Sequence, residues 1–247
     1  MNIKKHLPNL LTLGNLLCGT IAAIFAVKGD FEATALLVVT GILFDFLDGF
    51  VARLLKVQGE LGKQLDSLAD MVTSGVVPGI VMLQLIVISI DKDAVGYFGV
   101  DIDGATGSNV PYIGLLLTLA ACYRLANFNI DTRQSDSFIG VPTPAMTLFI
   151  ISLPLILSFS ENSFFTDLIS NPYFLIGITV LLSYLMNAEL PLFSLKFKDF
   201  SFKKNAVKYL FLIIALILLV LFKVIAVPMV ILFYILLSIL HNLTKSK

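Results

Sequence analysis

The sequence is poor in the two residue types that most often build catalytic and zinc sites in soluble proteins. It has two cysteines, Cys18 and Cys122, each in an apolar run without the CxxC spacing of a zinc site, and they predict no disulfide framework. Its two histidines, His6 and His241, lie near the termini. We therefore expect no histidine catalysis in the apolar middle of the chain.

Charge is also scarce. Charged residues make up 14% of the 247 residues, against about 25% in an average soluble protein. The 17 basic and 17 acidic side chains cancel, which argues against nucleic acid as a partner. Apolar side chains account for 57% of the chain, and the mean hydropathy is +0.94. These values exclude an ordinary soluble domain.

What the sequence has instead is a series of apolar stretches, and stretches of about 17–25 such residues mark membrane-spanning helices. The pattern predicts an all-α polytopic membrane helix bundle of about eight transmembrane helices. Their predicted bounds are Leu10–Val27, Thr34–Leu55, Ser67–Ile90, Tyr112–Phe128, Thr143–Phe159, Phe174–Asn187, Tyr209–Phe222 and Val224–Leu240. The last two form a predicted hairpin, because Lys223 and Pro228 interrupt an otherwise continuous apolar run.

The orientation of these helices follows from the placement of lysine and arginine, which favour the cytoplasmic side. With both termini in the cytoplasm, 14 of the 17 basic residues fall on that side. They are Lys4, Lys5, Arg53, Lys56, Lys63, Arg124, Arg133, Lys196, Lys198, Lys203, Lys204, Lys208, Lys245 and Lys247. Lys28, Lys92 and Lys223 remain on the other side, with a polar segment at 91–109 that we expect to be a solvated loop.

Four aspartates interrupt the apolar pattern in the stretch DFLDGFVARLLKVQGELGKQLDSLAD, residues 45–70. A charge near the centre of a bilayer costs a few kcal/mol or more, so such residues usually have a function. Asp45 and Asp48 are three residues apart, and Asp66 and Asp70 are four apart. On helices, each pair shares one face.

Small residues continue these acidic faces. Gly49 and Ala52 lie nearly above Asp45 on a helix, and Gly62 extends the face of the second pair by one turn. Such positions let a ligand approach the backbone closely. Arg53 lies beyond them, nearer the cytoplasmic surface, where its guanidinium group suits a substrate phosphate.

Four clustered carboxylates repel one another strongly in a low dielectric, and they stay ionised only where cations compensate them. Two divalent cations would balance four negative charges, and oxygen ligands favour Mg²⁺ or Mn²⁺. Two such ions suit phosphoryl-group transfer, because they clamp the oxygens of an in-line displacement. Two other interpretations stay open on the residues alone: helix-end aspartates paired with lysines, and a proton or cation path.

The complete order D-x2-D-G-x2-A-R-x8-G-x3-D-x3-D, in residues 45–70, resembles the signature of the CDP-alcohol phosphotransferase family at all eight fixed positions. The resemblance implies a six-helix membrane core, usually paired as a homodimer, that displaces CMP from a CDP-linked substrate with a second alcohol. It implies that Asp45, Asp48, Asp66 and Asp70 hold two metals, with Asp70 also the general base. It implies that Gly49, Ala52, Arg53 and Gly62 line the CDP site.

Further stretches resemble the bacterial branch of this family that uses CDP-diacylglycerol and serine. They are LPNLLTLGNLLCG (7–19), RLANFNID (124–131), FIGVPTPA (138–145) and SYLMNAELPLFSLK (183–196). In that branch the asparagine and glycine of the first helix contact the nucleotide, which implies this role for Asn15 and Gly19. Asn127 departs from the basic residue expected at its position.

For three of these residues the pattern supports a second interpretation. Asn15 and Gly19 are also typical of a polar helix-packing pair. Arg124 and Asn129 are candidates to bind the serine acceptor, while Arg124 equally fits a basic anchor at the cytoplasmic end of its helix.

The resemblance covers residues 7–196. We accordingly predict a membrane core at 1–196, followed at 197–247 by a basic linker and a C-terminal hairpin that serves in packing or dimerisation. The implied reaction makes phosphatidylserine and CMP from CDP-diacylglycerol and serine. The alternatives are another acceptor in the same family, such as glycerol phosphate or inositol phosphate, and a divalent metal-ion transporter.

Overall fold

The computed structural model describes residues 6–91, 95–96, 99–100, 109–131, 138–192 and 202–245. The helices are α1 His6–Val27, α2 Phe31–Leu54, α3 Glu60–Met71, α4 Val77–Ile90, α5 Leu116–Ile130, α6 Thr143–Phe159, α7 Ser163–Ile169, α8 Pro172–Asn187, α9 Phe202–Phe222 and α10 Ala226–Lys245. A π-helical segment, Val72–Val76, joins α3 to α4, and short 3₁₀ segments at Val110–Leu115 and Lys223–Ile225 precede α5 and α10. The predicted all-α fold is confirmed.

Extended structure among the described residues is limited to two antiparallel pairs of two-residue strands. Strand β1 (Val95–Gly96) pairs with β2 (Gly99–Val100), and β3 (Phe138–Ile139) pairs with β4 (Pro191–Leu192). The predicted polar loop at 91–109 and the basic stretch from Lys196 to Lys198 lie largely or wholly outside the described residues.

The apolar helices are long enough for an integral membrane protein. Five stretches of the described chain qualify as membrane spans: His6–Val27, Phe31–Leu54, Glu60–Ile90, Val110–Ile130 and Val207–Asn242. A sixth arises if α7 and α8, bent by 73° at their junction, are taken as one span. Helix α6 is apolar but shorter.

The fifth stretch folds back on itself, as the predicted hairpin requires. The ring of Phe211 stacks on Phe233 with 6.0 Å between centroids and lies 5.6 Å from Tyr234. Lys223, at the turn, has a φ of 50°. Helix α10 packs on α6 and β4, and Asn242 Nδ2 donates to the carbonyl of Pro191. The hairpin is therefore part of the packed bundle.

Helix α4 forms the centre of the bundle. Val81, Met82 and Ile86 are fully buried, and Leu85 is nearly so. The helix contacts α1, α5, α6 and α8. Helix α4 continues α3 through the π segment, so the polar part of this long helix lies at one end of the bundle. There it packs on α1 and α5, and its Asp66 carboxylate lies near those of α2.

Helix α1 lies antiparallel to α2. Gly29, with a φ of 76°, ends the first helix, and the Asp30 side chain accepts a 3.0 Å hydrogen bond from the Ala33 amide at the start of the second. This short connection brings the N-terminal half of α1 beside the C-terminal half of α2, where the aspartates begin.

The predicted start of the third helix at Ser67 is wrong, because the helix begins at Glu60. Its first turns, Glu60–Asp66, are polar and amphipathic, so a search for apolar length does not detect them. The short helix α7 was also missed. It is only seven residues long and begins at an Asn162 cap that accepts from the Phe164 amide.

Candidate active site

The two aspartate pairs lie on neighbouring helices at one end of the bundle. Asp45 and Asp48 belong to α2, and Asp66 and Asp70 to α3. One carboxylate oxygen from each of Asp45, Asp48 and Asp66 lies within 4.8 Å of the others. The predicted convergence of the two pairs is therefore present for three of the four side chains.

The fourth carboxylate, Asp70, lies one turn deeper. It is close enough for its charge to act on those of Asp45 and Asp66. Its Oδ1 accepts a 3.1 Å hydrogen bond from Asn15 Nδ2 of helix α1. This bond holds one oxygen of Asp70 toward α1.

The chemistry of this donor set fits a hard divalent cation. Every ligand atom in the group is a carboxylate oxygen, and Asp48 is 6% exposed while Asp45 and Asp66 are half-buried. Like charges at this separation and burial repel strongly unless a cation lies among them. Mg²⁺ and Mn²⁺ take such oxygen ligands.

A cavity of about 450 Å³ opens beside the cluster, lined by Pro8, Thr12, Asp48, Gly49, Ala52, Gln58, Gly59, Glu60, Gly62, Lys63 and Asp66. Two of its glycines have few neighbours: a Cβ on Gly62 would meet only Asn9 Oδ1, at 3.5 Å, and one on Gly49 only the Arg53 guanidinium, at 3.6 and 3.9 Å. The predicted small-residue faces thus border a cavity in which a ligand has access to the backbone.

Arg53 lies at the outer edge of this region. Its side chain is exposed, and its charge acts on Asp48. With Gly49 directly beside the guanidinium group, the arginine is placed to meet an anion that enters above Asp48.

Helix α1 supplies a contact that the sequence analysis missed. Thr12 is buried, and its hydroxyl donates to Asp48 Oδ2. Thr12 and Asn15 are three residues apart and bind one aspartate from each pair. The spacing is visible in the sequence, but a threonine in an apolar helix usually bonds to its own backbone, so it gave no signal.

Asn129 reaches the same end of the bundle from α5. Its Nδ2 donates to Ser67 Oγ at 2.9 Å, and its backbone carbonyl accepts from Lys63 Nζ. Ser67 directly follows Asp66, so this contact ties the end of α5 to the acidic helix. It leaves the prediction that Asn129 binds an acceptor substrate untested.

Arg124 lies in a different environment. It is 8% exposed, and its guanidinium group donates to the carbonyls of Ile139 at 2.9 Å, Gly140 at 3.1 Å and Met186. These bonds hold the loop at β3 against the end of α8. The position of Gly140 admits no larger residue, since its φ is 73° and a Cβ would lie 2.4 Å from the Met186 carbonyl.

A second cavity, of about 350 Å³, adjoins this arginine and includes Asn127, Asp131, Asn187 and Glu189 in its lining. None of the four motif aspartates lines it. The two residues predicted to bind serine therefore differ in placement: Asn129 lies beside the acidic helix, and Arg124 in a cage of carbonyls.

Asn15 and Gly19 are not among the residues that line the cavity beside the aspartates. Gly19 is buried, and a Cβ on it would lie 2.2 Å from Thr73 Oγ1. Its packing against the π segment agrees with the helix-packing interpretation, and its predicted nucleotide contact stays a prediction.

Known proteins match this chain over most of its length. The profile of the family described as CDP-alcohol phosphatidyltransferase matches residues 5–186, which include all four aspartates. The CDP-diacylglycerol–serine O-phosphatidyltransferase of Bacillus subtilis is 31% identical over 210 residues, covering 83% of this chain and 96% of that protein.

Two further relatives come from other organisms. The protein of the same name from Helicobacter pylori strain J99 is 34% identical, covering 72% of this chain and 68% of its own length. The archaetidylserine synthase of Methanothermobacter thermautotrophicus is 30% identical, covering 74% of this chain and 71% of its own.

Proposed function

Because the chain belongs to the CDP-alcohol phosphatidyltransferase family, we propose that it transfers the phosphatidyl group of CDP-diacylglycerol to the hydroxyl of L-serine, giving phosphatidylserine and CMP. The observation that carries the proposal is the cluster of Asp45, Asp48 and Asp66 carboxylates beside a cavity whose lining includes small residues. The names of relatives in two bacteria support serine as the acceptor.

We propose that Asp45, Asp48, Asp66 and Asp70 hold two divalent cations, Mg²⁺ or Mn²⁺. The number follows from charge, since two such ions balance four carboxylates. When bound, they supply positive charge for the diphosphate and for the departing CMP. The substitution that removes one ligand charge without changing side-chain size is aspartate to asparagine.

The other residues of the site have separate proposed roles in binding the substrate. Gly49, Ala52 and Gly62 border the cavity without filling it, which suits close approach of the CDP moiety to the backbone. Arg53 holds a phosphate oxygen through its paired N–H donors. The nucleotide contacts proposed for Asn15 and Gly19 would require the CDP moiety to reach past the lining residues, because neither residue borders the cavity.

Asp70 acts as the general base. The serine hydroxyl oxygen forms a bond to the lipid-side phosphorus, the bond from that phosphorus to the CMP oxygen breaks, and the hydroxyl proton passes to Asp70. One Asp70 oxygen already accepts from Asn15, which leaves the other for the proton. No histidine lines the cavity among the described residues, so a carboxylate is the available proton acceptor.

Serine binding is proposed for Asn129 and, with less support from contacts, for Arg124. Asn129 lies against Ser67, beside Asp66. Arg124 already donates to three carbonyls, so binding a carboxylate would require its remaining N–H groups or a rearrangement.

The protein is an integral membrane protein, and we propose the cytoplasmic inner membrane with both termini and the site on the cytoplasmic side. The excess of lysine and arginine at that end supports this orientation. Serine and CMP would then exchange with the cytoplasm, and CDP-diacylglycerol would enter from the bilayer. A division at 196 into a core and a C-terminal hairpin, and a homodimer, remain part of the proposal.

The function is tested by supplying purified protein with CDP-diacylglycerol and Mn²⁺ or Mg²⁺ and comparing serine, glycerol 3-phosphate and inositol phosphate as acceptors. Release of CMP with serine, and not with the other two, is expected. Equal or greater release with a phosphorylated acceptor would reassign the chain within its family. Divalent-ion transport into vesicles without CMP release would instead favour a transporter.

A further inference from the structure

The π-helical segment that joins α3 to α4 carries a threonine whose hydroxyl points across to another helix. Thr73 is fully buried, and its Oγ donates to the Asn15 side-chain oxygen at 2.8 Å and lies 3.2 Å from the Asn15 carbonyl. π segments inside α-helices are rare and occur often at functional sites. This one begins two residues after Asp70.

Asn15 connects this hydroxyl to the acidic cluster. It is also fully buried; its Oδ1 accepts from Thr73, and its Nδ2 donates to Asp70 Oδ1 at 3.1 Å. An amide offers an acceptor at one end and donors at the other, so the two bonds together fix its plane and direction. Without the hydroxyl, Asn15 Oδ1 would lose its side-chain donor in a buried place.

Two glycines make room for this chain of hydrogen bonds. A Cβ on Gly19 would lie 2.2 Å from Thr73 Oγ1 and 3.0 Å from its Cα. A Cβ on Gly41 would lie 2.8 Å from Asn15 Oδ1 and 3.0 Å from Thr73 Cγ2. The backbone of α1 at Gly19 and that of α2 at Gly41 therefore lie directly against the Thr73 and Asn15 side chains.

We infer that Thr73 and Asn15 are positioning residues, which fix the direction of the Asp70 carboxylate through the bonds Thr73 to Asn15 to Asp70. The inference rests on the proposed function, because it assigns them to the residue proposed as base and metal ligand. A carboxylate that must serve both roles has to present its free oxygen in one direction. Misplacement by about 1 Å can cost about 100-fold in rate.

The test compares Thr73→Val, which removes the hydroxyl at nearly constant volume, with Thr73→Ser, which keeps it. Thr179→Val is the matched control: Thr179 is equally buried, but its hydroxyl donates at 2.7 Å to Leu175 of its own helix. Full-length proteins in detergent are measured for CMP release, both substrate KM values, thermal unfolding and Mn²⁺ affinity without substrates.

Thr73→Val is expected to lower kcat about 10- to 100-fold while both KM values change by less than about threefold. Mn²⁺ affinity should fall by about threefold or more, since outer contacts of metal ligands affect affinity. Thr73→Ser should recover most of both losses, and Thr179→Val should keep wild-type values. If Thr73 had only a structural role, Thr73→Val would lower the unfolding temperature without lowering kcat at nearly constant KM.

A double-mutant cycle adds the decisive comparison. In an Asn15→Ala background, Thr73→Val should cost less than about twofold, because the residue through which it acts is gone. Full additivity, a wild-type kcat in Thr73→Val, or an equal loss in Thr179→Val would overturn the inference. If Thr73→Val does not fold, the comparison of Thr73→Ala with Thr73→Ser tests the same loss of the hydroxyl group.

Failure of this inference is distinguishable from failure of the proposed function. Wild-type protein that releases no CMP with serine overturns the function, whatever the variants do. The cycle and the Mn²⁺ affinities are then measured with the acceptor that does work.

Discussion

The aspartate cluster and the Arg124 cage are two polar regions toward the same end of the bundle, and they handle buried charge in opposite ways. At Arg124, a single positive charge is surrounded by the carbonyls of Ile139, Gly140 and Met186. At the cluster, Asp45, Asp48 and Asp66 place three negative charges within 4.8 Å of one another. In the first arrangement the charge is solvated by backbone carbonyls, whereas in the second we propose that divalent cations balance the charge.

The comparison separates a charge that holds the fold from charges to which we assign a chemical role. Removing a fold-holding charge should lower stability, because its partners lose their bonds. Removing one of several mutually repelling charges should raise the stability of the metal-free protein while it abolishes function. The two regions therefore predict stability changes of opposite sign.

The largest effect is expected for Asp66→Asn. The variant should release essentially no CMP, because it removes a ligand charge from the proposed metal site. Its unfolding temperature in EDTA should rise, since repulsion within the cluster falls. Asp167→Asn, at an exposed position on α7, is the control and should change neither quantity. Near-normal CMP release from Asp66→Asn would contradict the metal-site interpretation.

Asp70→Asn should be the next most severe. It keeps one oxygen ligand but loses the basic site, so turnover should fall by roughly 10²–10⁴-fold. Binding of CDP-diacylglycerol with metal should persist, because the other three aspartates remain. Lipid binding and CMP release are both measured, and binding that collapses with turnover would leave Asp70 a metal ligand only.

Arg124→Met tests the opposite region. Its loss leaves three carbonyls without their donor, so the free energy of unfolding should fall by about 2–4 kcal/mol. The control is Lys28→Met, an exposed cation at the other end of the bundle. The same variant tests serine binding: a serine KM raised well above any change in the CDP-diacylglycerol KM would favour the substrate role.

The smallest effect is expected for Thr12→Val. Thr12 donates to Asp48 from outside the cluster, and loss of such a contact should lower activity and divalent-ion affinity by about 10-fold. Thr20→Val is the control, because the Thr20 hydroxyl is exposed and bonds at 2.8 Å to its own helix carbonyl at Leu16. Wild-type ion dependence in Thr12→Val would mean that the Asp48 contact is dispensable.

Much of the fold could be predicted from apolar length alone. The bounds of Thr143–Phe159 agree with the prediction, and the start of α2 differs from it by three residues. Where the helix is polar, as at Glu60–Asp66, the method fails because it measures apolar composition rather than backbone hydrogen bonding. The π segment also escapes it, since nothing in the local pattern marks an inserted residue.

The motif predicted which aspartates converge, because helical periodicity fixes their faces. It could not predict the partners that come from elsewhere in the chain. The Arg124 bond to Met186 joins residues 62 positions apart, and the Thr73 bond to Asn15 joins residues 58 apart. Such contacts depend on how helices cross, which is determined by packing and has no local sequence signal.

The central claim is that the clustered carboxylates form a divalent-cation site, and a Mn²⁺ titration of the purified protein followed by electron paramagnetic resonance tests it most directly. Wild type and Arg124→Met should each bind two ions per chain in the presence of CDP-diacylglycerol. Asp66→Asn should bind fewer ions or bind them far more weakly. Equal binding by wild type and Asp66→Asn, or no binding by wild type, would contradict the claim.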